Sequence, residues 1–155
     1  MRLLSFTRRI VQLRRAHPNL RRRRFFQDRV IRTPAGDKPV RVVKDIAWYT
    51  PDGNEVSDEE WNAGWIRAIA LLLNGQTLRV TGENGESVID HSFLLLVNAA
   101  EQGVEFNLPP SPTGSPWMQI VDTENIEDPF APAVMAETVI VGGRALKLFN
   151  DALAM

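Results

Sequence analysis

The chain is 155 residues long, with 44% hydrophobic and 24% charged residues, which suits one globular domain that buries a substantial core. It has no cysteine, and its two histidines lie far apart in sequence, so disulfides and thiolate metal sites are excluded and neither a metal nor a cofactor is predicted. No apolar run approaches the roughly 20 residues that a membrane helix needs, and the lack of cysteine fits a reducing compartment such as the cytoplasm.

The two parts of the chain carry opposite charge. Residues 1–44 hold 14 Lys and Arg against two acids, whereas residues 45–155 hold four against 17. Such asymmetry is typical of a basic arm that binds nucleic acid, with Arg21 to Arg24 as its densest charge, or of two parts that attract each other or a missing neighbour. We favour the second interpretation, because no nucleic-acid-binding motif accompanies the arginines and the basic part is amphipathic.

An amphipathic helix is predicted at the start of the chain. Leu3, Phe6, Ile10 and Leu13 recur at intervals of three and four residues, and the apolar arc is wide enough to require partners on two sides. The helix should end at Ala16-His17-Pro18, because the residue before a proline is displaced from the helical region. A less favoured interpretation of this acid-free, Arg-rich start is an organelle transit peptide.

From Val40 onward, short apolar runs alternate with turn residues every 8 to 12 positions, a pattern typical of an antiparallel sandwich or barrel. Residues 33–39 are predicted to form a loop, residues 82–85 a hairpin turn, and Gly142-Gly143 a tight hairpin between the last two strands. Residues 58–73 fit either a helix or a short helix followed by a buried strand. The strands are predicted near residues 40–43, 46–50, 77–81, 92–98, 104–108, 117–122, 137–141 and 144–149.

The acidic run at residues 57–60 has a structural explanation. Ser57-Asp58-Glu59-Glu60 matches the capping box, in which the serine oxygen and the glutamate three residues later each accept a backbone N–H bond at the start of a helix. A glycosidase pair instead requires two carboxyls that face each other across a sugar, roughly 5 to 10 Å apart. We therefore predict a helix cap here and no catalytic residue.

Two further features contain residue types that occur in functional sites. Asp90-His91-Ser92 holds the residue types of a nucleophilic triad, but neighbouring strand residues face opposite sides, so we expect a strand entry with a solvated histidine. The four tryptophans are expected to lie mostly in the core. The alternative is that exposed tryptophans form a platform for sugar, with Trp61 and Trp65 as the candidates.

Several short segments, taken in their order along the chain, resemble a known family. Residues 3–26 read LLSFTRRIVQLRRAHPNLRRRRFF, and the later segments are KDIAWYTPDG (44–53), DEEWN (58–62), LLLNG (71–75), SFLLLVNA (92–99), VEFNLP (104–109) and Trp117 followed by VDT (121–123). In this order they resemble the last barrel helix and the C-terminal β domain of glycogen debranching enzymes of the isoamylase type, members of the α-amylase family.

The resemblance implies a parent enzyme in which a (β/α)₈ barrel carries the catalytic carboxylates on loops at the ends of its strands, followed by an antiparallel sandwich. The matching segments begin after the last barrel strand, so no catalytic residue is carried over to this chain. The resemblance also implies that residues 57–61 form a short helical turn and residues 66–73 a strand.

We therefore predict a mainly β fold, with a barrel-exit helix and loop at residues 1–39 and an antiparallel β-sandwich at residues 40–155. The predicted function is that of the non-catalytic C-terminal portion of an enzyme that hydrolyses α-1,6 branch linkages in glycogen, with the catalytic barrel as its partner. The helix residues Leu3, Phe6, Ile10 and Leu13 are expected to face that barrel, the sandwich or a second copy of the chain.

Two other functions stay open at this point. One is an autonomous glucan-binding module that uses Trp61 and Trp65. The other is a nucleic-acid-binding protein with a basic amino-terminal arm, which the missing motif disfavours. Our leading prediction includes neither a nucleic-acid nor a membrane partner.

Overall fold

The computed structural model describes residues 3–22, 25–26, 30–33, 41–78, 85–134 and 137–152. Within these ranges the chain forms one 14-residue helix, α1 (Leu3–Ala16), a one-turn helix, α2 (Asp58–Trp61), and a set of mostly short strands. The strands are β1 (Val30–Thr33), β2 (Arg41–Lys44), β3 (Ile46–Tyr49), β4 (Ala68–Leu73), β5 (Phe93–Asn98), β6 (Val104–Asn107), β7 (Met118–Asp122), β8 (Ala133–Val134), β9 (Thr138–Val141) and β10 (Ala145–Asn150).

The described strands pair antiparallel in three sheets. The largest has six strands in the order β3-β4-β5-β10-β7-β8, and β6 and β9 form a two-stranded sheet, as do β1 and β2. The prediction of a mainly β, antiparallel sandwich preceded by one amphipathic helix is confirmed.

The core lies between the six-stranded sheet and the β6–β9 pair. A row of buried side chains crosses the large sheet, because Ala47 is paired with Leu72, Leu72 with Leu94, and Leu94 with Phe149. Phe106 from β6 and Val141 from β9, both 0% exposed, join the same cluster. Each large apolar side chain buried in this way contributes about 1.5–3 kcal/mol.

The helix α1 forms where the apolar periodicity predicts it. It ends at Ala16, and the His17 N–H still reaches the Leu13 carbonyl, 3.2 Å away, before Pro18 begins a 3₁₀ turn. Proline lacks the N–H that a further helical turn would use, so the chain leaves the helix at this point.

The ambiguous segment 58–73 consists of the short helix α2 followed by the strand β4, as the resemblance implies. The strand predicted at 77–81 is wrong at its start, because residues 75–77 form a 3₁₀ turn. Leu78, which follows that turn, is not in a strand either. Thr33, predicted as the start of the loop at 33–39, is the last residue of β1, and Gly85, the end of the turn predicted at 82–85, has a positive φ of 83°. Residues 34–39 and 79–84 lie outside the described residues. β1 and β8 were not predicted.

The predicted hairpin at Gly142-Gly143 is wrong. β9 pairs with β6, whereas β10 pairs with β5 and β7, so the two strands belong to different sheets and the glycines connect them. The buried Asn98 side chain holds this crossing, because its Nδ2 donates to the carbonyl of Val141 at 3.0 Å and to that of Gly142 at 2.9 Å.

Close backbone approach explains the second glycine of this connection. A Cβ atom at Gly143 would lie 1.9 Å from the Glu101 carbonyl oxygen, a distance that no side chain tolerates. Glycine is therefore required here for space between two backbone segments, a requirement that is distinct from hairpin geometry.

Within the described residues, no helix has both the length and the apolar character needed to cross a membrane.

Candidate functional site

The exit of α1 is fastened to the large sheet by buried hydrogen bonds. His17 Nδ1 lies 2.8 Å from Asp90 Oδ1, and the Asn19 N–H donates to Asp90 Oδ2 at 2.9 Å. The Asn19 side chain is 2% exposed, and its Nδ2 donates to the carbonyls of Leu73 (3.0 Å) and His91 (2.9 Å). We call His17, Asn19, Asp90 and Arg22, which joins them below, the helix-exit network.

Arg22 extends this network across the sheet end. Its Nε donates to Asn19 Oδ1 at 2.8 Å, and its terminal nitrogen bonds the Asn74 carbonyl. Burial lowers the pKa of the guanidinium, while the charges of Asp45 and Asp90 oppose that shift. Arginine nevertheless stays charged at neutral pH.

These contacts support the interpretation that the basic and acidic parts of the chain attract each other. A second contact joins α1 to the loop after β7, where the Arg9 guanidinium lies 4.1 Å from the Phe130 ring centre and 3.8 Å from Asp128 Oδ1.

Asp90-His91-Ser92 does not form a triad. Ser92 is fully buried, its Oγ accepts the Gly75 N–H at 3.2 Å, and its own N–H donates to Asp151 Oδ1 at 2.7 Å. The prediction of a solvated histidine is wrong, because the half-buried His91 ring bonds the Asp151 carbonyl.

The fold brings the two histidines together although they are distant in sequence. The centres of the His17 and His91 rings are 5.5 Å apart, and the His17 ring also meets Phe93 edge-on at 5.0 Å. In the part of the chain that the structure describes, no three His, Asp or Glu side chains are placed to hold a metal ion.

Asp151 completes the polar structure at this end of the sheet. Burial raises the pKa of its carboxyl, while the bonds from Ser92 and Thr113 and the nearby His91 counteract the shift. Thr113 Oγ1 donates to Asp151 Oδ2 at 3.1 Å. Each polar group named here has a partner within the chain, so these side chains have a structural role at this end of the sheet.

The acidic run at the start of α2 is a helix cap, as predicted. Ser57 Oγ accepts the Glu60 N–H at 3.3 Å, and the Ser57 N–H donates to Glu60 Oε2 at 2.9 Å. The Ser57 N–H bond stabilises the ionised carboxylate and lowers the pKa of Glu60.

The four tryptophans lie in three environments, with Trp48 half-buried in β3. Trp117 is 4% exposed, and its indole Nε1–H donates to the Pro109 carbonyl at 2.7 Å. Trp61 and Trp65 are 56% and 71% exposed, so the expectation of core tryptophans is wrong for these two. Trp61 is the last residue of the short helix α2, and Trp65 lies in a turn four residues after it.

A cleft lies on each side of α2. A cavity of about 230 Å³ is lined by Trp48 and Trp61, whose ring centres are 5.2 Å apart, together with Glu55 and Asp58. A second cavity of about 310 Å³, which we call the Trp65 cleft, has both apolar and charged walls. Its lining includes Trp65, Ile66, Asp52, Glu60, Arg67 and Val104.

The predicted association face of α1 is only partly covered. Leu3 is 79% exposed, whereas Phe6, Ile10 and Leu13 are half-buried, and Phe6 packs against Phe130 with ring centres 5.4 Å apart. No residue of α1 is fully buried. The sandwich therefore supplies some of the partners that this face requires, and apolar surface is left over.

Sequence reasoning did not single out Asn19, Asp128 or Phe130. A buried asparagine after a helix gives no sequence signal of its own, because its partners come from strands far along the chain. The usable signal for contacts between the two parts was their opposite charge, positive before residue 45 and negative after it.

Comparison with known proteins gives a consistent result. Residues 45–149 match the family model described as Isoamylase, C-terminal. The chain is 38% identical over 152 residues to proteins named Glycogen operon protein GlgX homolog from Mycobacterium bovis and Mycobacterium tuberculosis, an alignment that covers 97% of this chain and 20% of each relative. It is 28% identical over 140 residues to an Isoamylase from Flavobacterium sp, covering 90% of this chain and 16% of that protein.

The chain thus spans about a fifth of the length of the mycobacterial relatives that it matches. The match includes α2 with both exposed tryptophans, the sandwich core and Asp90 of the helix-exit network. The chain belongs to the isoamylase C-terminal family.

Proposed function

We propose that this chain is the non-catalytic C-terminal portion of a cytoplasmic glycogen debranching enzyme, which hydrolyses α-1,6-glucosidic branch linkages. Residues 40–155 are its sandwich domain, and residues 1–39 contain the last helix of the catalytic barrel. The family membership and the alignment to a fifth of each mycobacterial relative support this proposal.

The structure of the described residues fits a supporting role. The carboxylates at the candidate positions are used for structure, since Glu60 caps α2 and the buried Asp90 accepts three hydrogen bonds at the helix exit. A retaining glycosidase needs two carboxyl groups about 5–5.5 Å apart on either side of the substrate bond. We therefore assign Glu60 and Asp90 to folding and the chemistry to a separate barrel.

The observation that carries the proposal is that α1 is fixed in position while part of its apolar face is exposed. The helix is held at its exit by the buried network, yet Leu3 and Leu4 remain 79% and 61% exposed. A helix that is fixed in position but apolar toward solvent has a surface suited to a further partner. The partner that we propose is the barrel, packed against Leu3, Phe6, Ile10 and Leu13.

Complementation tests this proposal directly. The chain would be coexpressed with the preceding four-fifths or so of the Mycobacterium tuberculosis relative, and debranching of glycogen would be followed as released reducing sugar. We expect no hydrolysis by the chain alone and restored hydrolysis by the pair.

The apolar helix face supplies matched variants. Leu3→Glu with Leu4→Glu should abolish complementation, whereas Gln12→Glu on the polar side of α1 should not. Hydrolysis of glycogen by the pure chain alone, or an equal effect of both sets of variants, would refute the assignment.

The native product offers an independent test. An antibody against the sandwich should detect a protein several times larger than 17.4 kDa in the source cells. A native band at 17.4 kDa would contradict the proposal that the chain is one portion of a longer enzyme.

A further inference from the structure

The Trp65 cleft lies at the end of the large sheet opposite to the helix exit. β4 begins at Ala68, which lines the cleft. It ends at Leu73, whose carbonyl accepts a hydrogen bond from the Asn19 side chain at the helix exit. A six-residue strand at ~3.3 Å per residue separates these points by about 17 Å. The cleft is therefore clear of the helix-exit network that fixes α1.

The cleft combines a flat exposed ring with apolar and charged walls. Trp65 is 71% exposed, and half-buried Ile66 and Val104 provide apolar surface beside it. Asp52 and Arg67 are exposed and place charges of both signs at the same cavity. Its volume of about 310 Å³ is sufficient for a small ligand.

This combination matches the chemistry of a sugar. A pyranose ring has an apolar C–H face that can lie on an indole ring, and hydroxyl groups around its edge that donate to carboxylates and accept from guanidinium groups. Of the three charged lining residues, Glu60 already accepts two bonds from Ser57, and Asp52 and Arg67 carry opposite charges, so the cleft does not select strongly for an anion or a cation. A neutral, hydroxyl-rich ligand suits it best.

The backbone that carries the cleft residues is held in place before any ligand binds. The Asn107 side chain donates to the Asp52 carbonyl at 3.1 Å, and the Ala99 N–H donates to the Arg67 carbonyl at 2.7 Å. Glu60, a further lining residue, is fixed by the cap of α2. A fixed backbone limits the entropy lost on binding to that of the exposed side chains, which favours affinity.

Trp61 is the less suitable platform. Its ring already contacts Trp48, with ring centres 5.2 Å apart, and the adjoining cavity of about 230 Å³ is smaller. Glu55 and Asp58 line that cavity, and Glu55 is already paired with Lys44, which leaves it less available to a ligand.

We propose that the Trp65 cleft is a non-catalytic binding site for α-glucan chains, with Trp65 as the stacking platform and Asp52 and Arg67 as hydrogen-bonding groups. The choice of an α-glucan among sugars rests on the proposed function. The site would hold a glucan chain on the domain while the separate barrel performs hydrolysis.

Titration with maltoheptaose, followed by nitrogen–proton NMR spectra, tests the proposal. The indole N–H signal of Trp65 should shift with saturation, and that of Trp117, buried and bonded to the Pro109 carbonyl, should not. Cellohexaose, a β-linked glucan, serves as the linkage control and should bind more weakly.

Variants locate the site. Trp65→Ala should weaken maltoheptaose binding by at least about tenfold, and Arg67→Ala should weaken it by about threefold. Phe25→Ala is the matched control, because Phe25 is 96% exposed but does not line this cleft, and it should bind as the unchanged chain does. If Trp65→Ala does not fold, the indole N–H shift of Trp65 in the unchanged chain and the affinity of Arg67→Ala test the site instead.

Three results would overturn the proposal. They are the absence of any indole shift at millimolar maltoheptaose, a shift at Trp61 without one at Trp65, and equal loss of binding in Phe25→Ala and Trp65→Ala. Complementation of the barrel by a chain that binds no maltoheptaose would refute this site and leave the proposed function intact. Maltoheptaose binding by a chain that does not complement the barrel would refute the proposed function and leave this site intact.

Discussion

The two ends of the six-stranded sheet differ in which side chains they bury. At the helix exit, polar residues are buried, with Asn19 2% and Asp90 6% exposed, and they are joined by hydrogen bonds. At the other end, large aromatic rings face solvent, with Trp65 71% exposed. Burying polar groups is tolerated only when they are paired, and leaving aromatic rings in water forgoes their burial energy.

This difference separates residues with a structural role from the candidates for ligand binding. At the helix exit, residues of catalytic type serve to hold the chain together, because each is engaged by a neighbour within it. At the opposite end, Trp61 and Trp65 are of a type usually found in a core, yet they are exposed. The exposed rings are therefore the more informative candidates for ligand binding, and four predictions test this contrast.

The largest expected effect distinguishes the two kinds of tryptophan. Trp117→Ala should destabilise the fold by about 4 kcal/mol, because it empties a core position and leaves the Pro109 carbonyl without its donor. Trp65→Ala should change the free energy of unfolding by less than about 0.5 kcal/mol. Urea denaturation followed by circular dichroism measures both, and similar losses would remove the contrast.

The next effect concerns the helix exit. Asp90→Ala should cost about 3 kcal/mol, because the N–H groups of Asn19 and His91 and the His17 ring all lose their acceptor. Asp52→Ala, at the opposite end of the sheet, is the matched exposed acid and should cost less than about 0.5 kcal/mol. If both variants unfold at the same urea concentration, the network contributes nothing specific.

A smaller effect is expected at the cap of α2. Ser57→Ala should destabilise the domain by about 1 kcal/mol, because the Glu60 N–H loses its acceptor. Ser57→Thr keeps a hydroxyl acceptor and should retain most of the stability. Thermal unfolding would show this difference, and a full effect in Ser57→Thr would argue against the cap.

The smallest effect is a pH dependence at Asp151. Since burial raises the pKa of its carboxyl above the ordinary 3.8, the folded state binds this proton more tightly than the unfolded state. The resulting stabilisation is fully present below pH 3.8 and is lost as the pH rises through the raised pKa. Asp151→Asn should therefore gain stability relative to the unchanged chain as the pH rises above 3.8.

Urea unfolding at a series of pH values from 3.5 to about 7 would measure this difference. Glu60→Gln is a suitable control, because the pKa of Glu60 is lowered and its contribution changes in the opposite direction, below its ordinary 4.5. A stability difference for Asp151→Asn that is independent of pH would contradict the prediction.

Features that depend on neighbouring residues could be predicted from the sequence. The bounds of α1, its end before Pro18 and the cap at Ser57 follow from residues within four positions of one another. The alternation of apolar runs and turns was sufficient for the sandwich, and the ordered landmarks pointed to the family that residues 45–149 match. Local hydrogen bonding and side-chain periodicity are properties of a short segment, so they are visible in the sequence.

Features that depend on strand order were decided by the tertiary structure. Asn19 and His17 reach Asp90 across 71 and 73 positions, and the Gly142-Gly143 connection passes between sheets where a hairpin was predicted. The exposure of Trp61 and Trp65 likewise depends on which elements cover α2. A side chain's burial and partners are set by what packs against it, and segments far away in the chain supply that packing.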